Sequence, residues 1–441
     1  MRVRFWGTRG SIAAPGPETL RYGGNTPCVE VRTDDGTLLI FDCGTGAREL
    51  GLALAKSGPV RAHLFIGHTH SDHIQGLPFF VPAFLPGSHL TIYGPAGIDR
   101  SFPSAVGGQM DYAYFPLPIK ELPSQVDFEE LGEGNFSVDA VRVRTQYLNH
   151  TAPCLGYRIE VGGVALVYAT DHEPQSHPAW RPDRAPGSHD PNDLLHPGDA
   201  RHAEFLRDAD LVIHDSQYTA AEFPAKLGWG HSPVEYVVDM ALVGGVKRLA
   251  LFHHDPTRGD DAVDALLEAC REHASKAGGH LEVIAAAEGG EVTLPERSEA
   301  APVEPGPRAP RVPTRARILV AEDDDSLGDM IKEALEEDGY EVQRAGDGRE
   351  AVRLAEQQQF NLILLDVTMP HMDGFAACRA LRADPRLEGV PIIMLTARSG
   401  DEDVLAGFAE GATDYLSKPF ALAQFRARIR SWLTRAAEAG A

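Results

Sequence analysis

At 441 residues the chain is long enough for two or three domains. With 43% hydrophobic and 24% charged residues it fits a folded protein, and it has no apolar run long enough to span a bilayer, so no membrane association is expected. A net charge of −23 with no basic patch of any length argues against nucleic acid as a partner.

The opening residues, Met1-Arg2-Val3-Arg4-Phe5-Trp6-Gly7, lack the apolar stretch of a secretory leader. The five cysteines (Cys28, Cys43, Cys154, Cys270, Cys378) are scattered, odd in number and form no C-x-x-C pair. Both features point to a cytoplasmic chain with reduced thiols. Val3 to Trp6 reads as a strand. Glycine turns follow at Gly7-Thr8-Arg9-Gly10-Ser11 and Tyr22-Gly23-Gly24-Asn25-Thr26, and their backbone N–H groups can cradle an anion. Strands at Cys28 to Arg32 and Leu38 to Phe41 are joined through Asp35-Gly36, a hairpin signal. The second runs into Asp42-Cys43-Gly44-Thr45-Gly46.

The apolar run His63-Leu64-Phe65-Ile66 reads as a buried strand and ends in Gly67-His68-Thr69-His70-Ser71-Asp72-His73. Three imidazoles (His68, His70, His73) and the Asp72 carboxylate fall within six positions just past a strand end, where layered α/β folds place ligands. Neutral imidazole with carboxylate suits zinc and neighbouring transition metals. The same pattern, an apolar strand and then His or Asp, recurs downstream. His150 follows the strand Ala140 to Val143, and Asp171 follows Val164 to Ala169. His214 and Asp215 follow Leu211 to Ile213, and His253 and His254 follow Leu249 to Phe252. A stretch from Pro174 to Pro197, rich in Pro, His and Asp, reads as a surface loop, with His177, His189, His196 and the nearby His202 solvated. Past His231, Ser232-Pro233-Val234-Glu235 reads as a helix start, with Ser232 as cap and Pro233 at the first position.

These motifs resemble those of the metallo-β-lactamase-fold hydrolases over essentially the whole first domain. Within that superfamily the chain is most similar to the phosphodiesterase branch that includes the tRNA 3′-processing endonucleases. The shared features are Gly-Thr-x-x-Gly with Asn25 downstream, Phe41-Asp42-Cys43-Gly44, Ile213-His214-Asp215, Gly230-His231-Ser232 and Leu251-Phe252-His253-His254-Asp255-Pro256. The resemblance implies an αβ/βα sandwich holding two divalent metals, zinc first and manganese or iron as the other candidates. His68, His70 and His150 would bind one metal. Asp72, His73 and His253 would bind the other, and Asp171 would bridge them; His254 is the alternative last ligand. His231 backed by Asp215 would give a proton to the leaving alkoxide, and these two with Asp72 form the expected catalytic set. Asp215 stands where the endonucleases usually have Glu, and no long Gly/Pro-rich insertion offers a tRNA-gripping arm. The expected substrate is therefore a small-molecule phosphodiester, a cyclic nucleotide among the candidates. A lactone or thioester hydrolase, or a non-catalytic metal-binding signalling protein, is the alternative.

Pro295 to Arg315 is rich in Pro, Ala, Glu and Arg, without apolar periodicity, and reads as an extended linker. It separates a domain at 1–294 from one at 316–441. In the second, strands at Arg317 to Ala321, one beginning with Tyr340-Glu341-Val342, Leu362 to Leu365, Pro391 to Leu395 and Asp414 to Ser417 alternate with amphipathic helices. The first helix stops at Gly339, the second runs from Gly348 to Gln358, and the last carries Phe420, Phe425, Ile429 and Trp432. Near-continuous apolar strands with crossover helices predict a doubly wound parallel sheet. Its strand ends bring together Glu322, Asp323, Asp366, Thr396 and Lys418, and three carboxylates in one crevice call for a cation, Mg²⁺ above all. This pattern resembles the receiver domain of two-component response regulators, a flavodoxin-like (βα)5 fold. The resemblance implies Mg²⁺ on Glu322, Asp323 and Asp366, phosphorylation of Asp366 by a cognate sensor histidine kinase, and a switch through Thr396, Tyr415 and Lys418. A response regulator whose output is a metal-dependent hydrolase is the expected whole, with dimerisation into a homodimer as another possible role of the receiver.

Overall fold

The structure, a computed structural model, describes residues 1–97, 100–175, 197–278, 280–297, 316–387, 389–396 and 411–420, with positions 422, 425, 426, 428–430, 432 and 433 of the last segment. The chain divides into two compact units. His177, His189 and His196, and residues 298–315 of the expected linker, lie outside the described residues.

The first unit opens with β1 (Arg2–Gly7), the hairpin β2 (Cys28–Arg32) and β3 (Leu38–Phe41), and helix α1 (Ala47–Ala55). The hairpin turn forms where Asp35-Gly36 places it, with Gly36 at φ 91°. Then come β4 (Arg61–Phe65), the one-turn helix α2 (Ser71–Ile74), β5 (His89–Pro95), α3 (Phe102–Gly108) and β6 (Gln125–Leu131). A second sheet begins with β7 (Gly134–Val138), β8 (Val141–Tyr147), β9 (Leu155–Val161) and β10 (Val164–Ala169). It continues through α4 (Pro197–Leu206), β11 (Leu211–Asp215), α5 (Val234–Val243), β12 (Arg248–Phe252), α6 (Asp260–Lys276) and β13 (Glu282–Ala285). The short β14 (Glu291–Thr293) crosses back to pair with β1.

Two seven-stranded sheets result, ordered β14-β1-β2-β3-β4-β5-β6 and β13-β12-β11-β10-β9-β8-β7. Their inner faces share one core. Within it Phe41 stacks on Phe65 and lies 5.2 Å from Tyr168, and Phe65 lies 5.2 Å from Tyr157. The outer faces are covered by helices, α1 and α3 on the first sheet and α4, α5 and α6 on the second. This is the expected αβ/βα sandwich. In each sheet one half is antiparallel and the other parallel, and β3 to β6 and β10 to β13 run parallel. The segments that carry candidate ligands follow β4, β8, β10, β11 and β12, so the topology gathers them at one edge of the sandwich.

Two local expectations are corrected. Helix α5 begins at Val234 with Pro233 as its cap residue. Ser232 does not cap it, because its hydroxyl donates to the His172 carbonyl. His202 is not solvated: it sits on α4 with no exposed surface, its Nε2 2.8 Å from that of His214 and its ring stacked 4.0 Å from His172. The polar run before it masked a helix whose Ala203, Phe205 and Leu206 pack on the second sheet.

The second unit has β15 (Arg317–Ala321), α7 (Asp325–Glu337), β16 (Glu341–Ala345), α8 (Gly348–Gln357), β17 (Leu362–Asp366), α9 (Gly374–Arg382), β18 (Ile392–Thr396) and β19 (Asp414–Ser417). All strands are parallel, in the order β16-β15-β17-β18-β19. Strand order reverses between β15 and β17, and a crevice opens there at the carboxyl ends. Asp324, Asp347 and Asp373 cap α7, α8 and α9 through their side chains. Among the described residues no helix is long and apolar enough to cross a membrane.

Candidate metal centre and receiver crevice

Asp171 is the pivot of the first site. It leaves β10 at φ 61°, and its two carboxylate oxygens face two different donor groups. Oδ2 lies 3.6 Å from His68 Nε2 and 3.7 Å from His150 Nε2. Oδ1 lies 3.4 Å from His73 Nε2 and 3.3 Å from His253 Nε2. Asp72 Oδ2 closes the second group, 3.2 Å from His73 Nε2 and 3.1 Å from His253 Nε2. His70 completes the first, with Nδ1 3.2 Å from His150 Nε2. Within each of the sets His68/His70/His150, Asp72/His73/His253 and His68/His73/Asp171, the donor atoms all lie within 4.8 Å of one another.

The donor set fits metal ions. Nε2 of His68 and of His73 are buried and make no hydrogen bond, and unpaired buried polar atoms are rare unless a ligand or ion completes them. His68 and His150 are held below the ordinary imidazole range by burial, His150 at about 3, so both present lone pairs. His73 behaves oppositely. Burial works against its charge, but Asp72, Asp42 and Asp171 overcome it and raise its pKa. In Asp171 burial is likewise outweighed, here by His253, His73 and His68, and its carboxyl lies well below the usual range. Cationic charge is what these carboxylates attract.

A second tier of residues holds the ligands. Asp42, buried at the end of β3 with φ 55°, accepts from His73 Nδ1 at 2.7 Å, from Tyr168 Oη at 2.6 Å and from Gly67 N at 2.8 Å. An imidazole that donates to a carboxylate is fixed in tautomer and direction. His150 Nδ1 donates to the Gly230 carbonyl at 2.9 Å, and a Cβ at Gly230 would lie 2.1 Å from that nitrogen. Only glycine allows the approach. Cys154 Sγ sits 3.8 Å from His68 Nδ1. The first glycine turn is a brace rather than an open anion cradle. The N–H groups of Thr8, Arg9 and Gly10 are taken up by the carbonyls of Asn25 and His254, and Ser11 N donates to Asp72 Oδ2 at 2.8 Å.

His231 borders the cluster. Its Nδ1 is 3.0 Å from Asp215 Oδ2, which also accepts from the backbone of His172 and Ser232. Burial would depress this imidazole, but Asp215 overrides it and lifts the pKa to about 9, so Nε2 carries a proton at neutral pH. The structure separates the paired histidines. His253 faces the site, whereas His254 turns away and donates from Nε2 to the Ala286 carbonyl. His214 also turns away, Nδ1 donating to the Asp215 carbonyl and Nε2 meeting His202.

In the second unit Glu322 and Asp366 are buried and Asp323 is exposed, with donor oxygens within 4.8 Å of one another. Lys418 Nζ reaches Glu322 Oε2 at 2.7 Å and Asp366 Oδ2 at 3.0 Å. Burial and the adjacent Asp366 raise the Glu322 carboxyl against the pull of Lys418. Thr396 ends β18, buried, with its carbonyl accepting from Lys418 N, and Tyr415 is buried on β19 beside Met394 in register.

Residues 37–254 match the family described as beta-lactamase superfamily domain, and residues 318–430 match the response regulator receiver domain. The DNA-binding dual master transcriptional regulator RpaA of Synechocystis sp. is 44% identical over 119 residues, which is 27% of this chain and 49% of that protein. The chain thus spans about half the length of the curated relatives it matches. Among solved structures, the metallo-beta-lactamase fold protein YhfI from Bacillus subtilis covers 66% of this chain and 98% of its own at 19% identity and a TM-score of 0.46. The short form of human tRNase Z covers 67% and 100% at 19% identity and 0.43.

Proposed function

We propose, for a chain that joins a metallo-β-lactamase-fold domain to a response regulator receiver domain, that the first is the enzymatic output of the second. The first domain, 1–294, is a two-metal phosphodiesterase for a small-molecule substrate, a cyclic nucleotide among the candidates. A linker at 295–315 joins it to a receiver at 316–441 that is phosphorylated on Asp366 by a sensor histidine kinase. The observation that carries the hydrolase reading is the division of labour on Asp171, with one oxygen toward His68 and His150 and the other toward His73 and His253.

His68, His70 and His150 would hold one ion, Asp72, His73 and His253 the other, with Asp171 between them. Held by these residues, two cations would supply a water acidified to a nucleophile and charge to offset the phosphodiester oxygens, with zinc first choice and manganese or iron alternatives. The protein's own share is positional and protonic. Asp42 and the Gly230 carbonyl fix the outer nitrogens of His73 and His150, so the donor set is aligned before substrate arrives. Asp215 holds His231 protonated at Nδ1, which leaves the Nε2 proton for the departing alkoxide. His70, exposed while the other ligands are buried, marks the side from which substrate enters.

In the receiver, an Asp366 oxygen forms the new P–O bond as the P–N bond of the kinase phosphohistidine breaks. Mg²⁺ on Glu322, Asp323 and Asp366 would offset the incoming charge, and Lys418, already 3.0 Å from Asp366, would pair with the phosphoryl group. Phosphorylation then biases a two-state receiver, through Thr396 and Tyr415, toward a changed hydrolase or a homodimer. On this reading the chain works in the cytoplasm, where such a kinase presents its phosphohistidine.

The deciding experiment offers metal-loaded protein and Asp171→Ala bis(p-nitrophenyl) phosphate, a lactone and a thioester, before and after Asp366 phosphorylation. Diester cleavage that disappears in the variant supports the reading. Turnover of only the lactone or thioester replaces it with the alternative hydrolase, and phosphorylation that changes neither hydrolysis nor, by light scattering, oligomeric state removes the regulatory half.

A further inference from the structure

The turn from Lys226 to Gly230 borders the metal site, yet none of the roles above explains what it displays. Lys226 follows a short 3-10 turn (Phe223–Ala225), and its carbonyl accepts from Trp229 N at 3.1 Å. Gly228 and Gly230 both have positive φ. Their N–H groups donate to the buried Glu173 carboxylate at 2.8 to 3.0 Å, and the Gly230 carbonyl receives His150 Nδ1. A surface turn ordinarily has no such anchor. This one is fixed relative to both His150 and His231.

Its side chains form a graded path away from His231. The Tyr218 ring lies 5.8 Å from His231, Lys226 Nζ lies 5.7 Å from the Tyr218 centroid, and the same Nζ sits 4.0 Å over the Trp229 ring. Tyr218 is itself tied to the His231 segment, its N–H donating to the Ser232 carbonyl and its carbonyl accepting from Val234 N. Lys247, Lys276, Lys332 and Lys418 each pair with a carboxylate. Lys56, Lys120 and Lys226 make no ion pair among the described residues, and Lys226 rests on two rings instead. Trp229 is 57% exposed despite its size. An ammonium on aromatic faces keeps its outward N–H donors. In a chain of net charge −23, such a cation, one aromatic ring removed from His231, is a group that draws an anion.

We infer that Lys226 and Trp229 form a subsite for the leaving group of the substrate, and that this leaving group carries a second anionic group beside a planar or apolar body. A nucleotide leaving group has both features; a simple alcohol has neither. The assignment to the leaving-group side rests on the phosphodiesterase reading, since His231, the proton donor of that reading, is the residue Tyr218 touches. The anion subsite itself does not depend on it.

Full-length metal-loaded protein is titrated calorimetrically with phenol, 3-hydroxybenzoate and 3-hydroxyphenyl phosphate, as wild type, Lys226→Met, Lys226→Arg and Lys120→Met. Wild type binds both anionic phenols more tightly than phenol. Lys226→Met weakens both at least fivefold, Lys226→Arg restores them to within twofold, and the tighter of the two names the anion as carboxylate or phosphate. No binding to wild type, equal affinity in Lys226→Met, or an equal loss in Lys120→Met overturns the subsite. Lys226-dependent binding without cleavage of any phosphodiester leaves the subsite standing and removes the reaction instead. Cleavage without Lys226-dependent binding does the reverse.

Discussion

Both acidic centres of this chain are built beyond the ends of strands, but they handle charge in opposite ways. In the first unit Asp171 and Asp72 are surrounded by imidazoles from β4, β8 and β12, almost all without exposed surface. In the second, Glu322, Asp323 and Asp366 come from two adjacent strands of one sheet, with Asp323 in solvent and Lys418 set between the other two. Imidazole can hold a cation in a dry site and become neutral when the cation is present. A carboxylate cluster with a single lysine stays charge-loaded and needs water within reach. On the proposed reading, the first arrangement suits ions that stay and the second an ion that exchanges with each phosphorylation.

The largest expected effect breaks the first half of that contrast. Asp171→Ala removes the oxygen pair shared by both donor groups, so diester hydrolysis falls roughly a thousandfold, the scale of losing a preorganised charge-stabilising group, and elemental analysis shows less than the wild-type metal per chain. Retained metal and rate would mean that Asp171 bridges nothing. Next is His231→Gln, expected to cost about a hundredfold with a poor alkoxide leaving group and far less with p-nitrophenolate, which needs little protonation. Because the acid form acts, the wild-type rate falls as pH rises through about 9. Cations that neutralise Asp171 and Asp72 move that limb downward, and the variant lacks the limb altogether. A smaller loss follows from Asp42→Asn, which weakens the hold on His73 Nδ1. Metal affinity drops roughly 10- to 100-fold, read by competition with a chelator, while the fold and the receiver are untouched.

What the sequence showed of these sites depended on locality. H-x-H-x-D-H, the strand-then-ligand repeats and every acidic strand end of the receiver are contiguous patterns, and the structure brings the donor atoms of each set within 4.8 Å of one another. The choice between His253 and His254 was open in the sequence because both follow β12; only the backbone, at φ 59° for His253, decides which enters the site. Asp42 stood in a recognised motif without a role, since its partners His73 and Tyr168 are 31 and 126 residues away. Glu173 and Cys154 gave no signal for the same reason. His202 was misread because its sequence neighbours are polar, while the side chains against it, His172 and His214, come from other segments of the chain. Side-chain partners between sheets leave no periodicity to detect.

The smallest effect tests the second half of the contrast, the charge-loaded crevice. Burial first, and Asp366 next, raise the Glu322 carboxyl above its ordinary value, while Lys418 opposes them. A raised carboxyl binds its proton more tightly folded than unfolded. Its contribution is therefore favourable below the ordinary carboxylate range and is lost as pH rises through the raised value. At pH 8 without Mg²⁺ the ionised Glu322 burdens the receiver, so Glu322→Gln is more stable by about 1 kcal/mol and melts roughly 4 °C higher for a domain of this size. At about pH 4, inside the ordinary carboxylate range, the difference shrinks, because wild type then holds its proton. Mg²⁺ stabilises wild type at pH 8 and the variant much less, because one of three ligands is gone. Calorimetry of the receiver transition at both pH values, with EDTA or Mg²⁺, separates these cases. If Glu322→Gln melts lower at both, the 2.7 Å pair with Lys418 outweighs the repulsion, and the crevice is closed by an internal ion pair rather than held open for a metal.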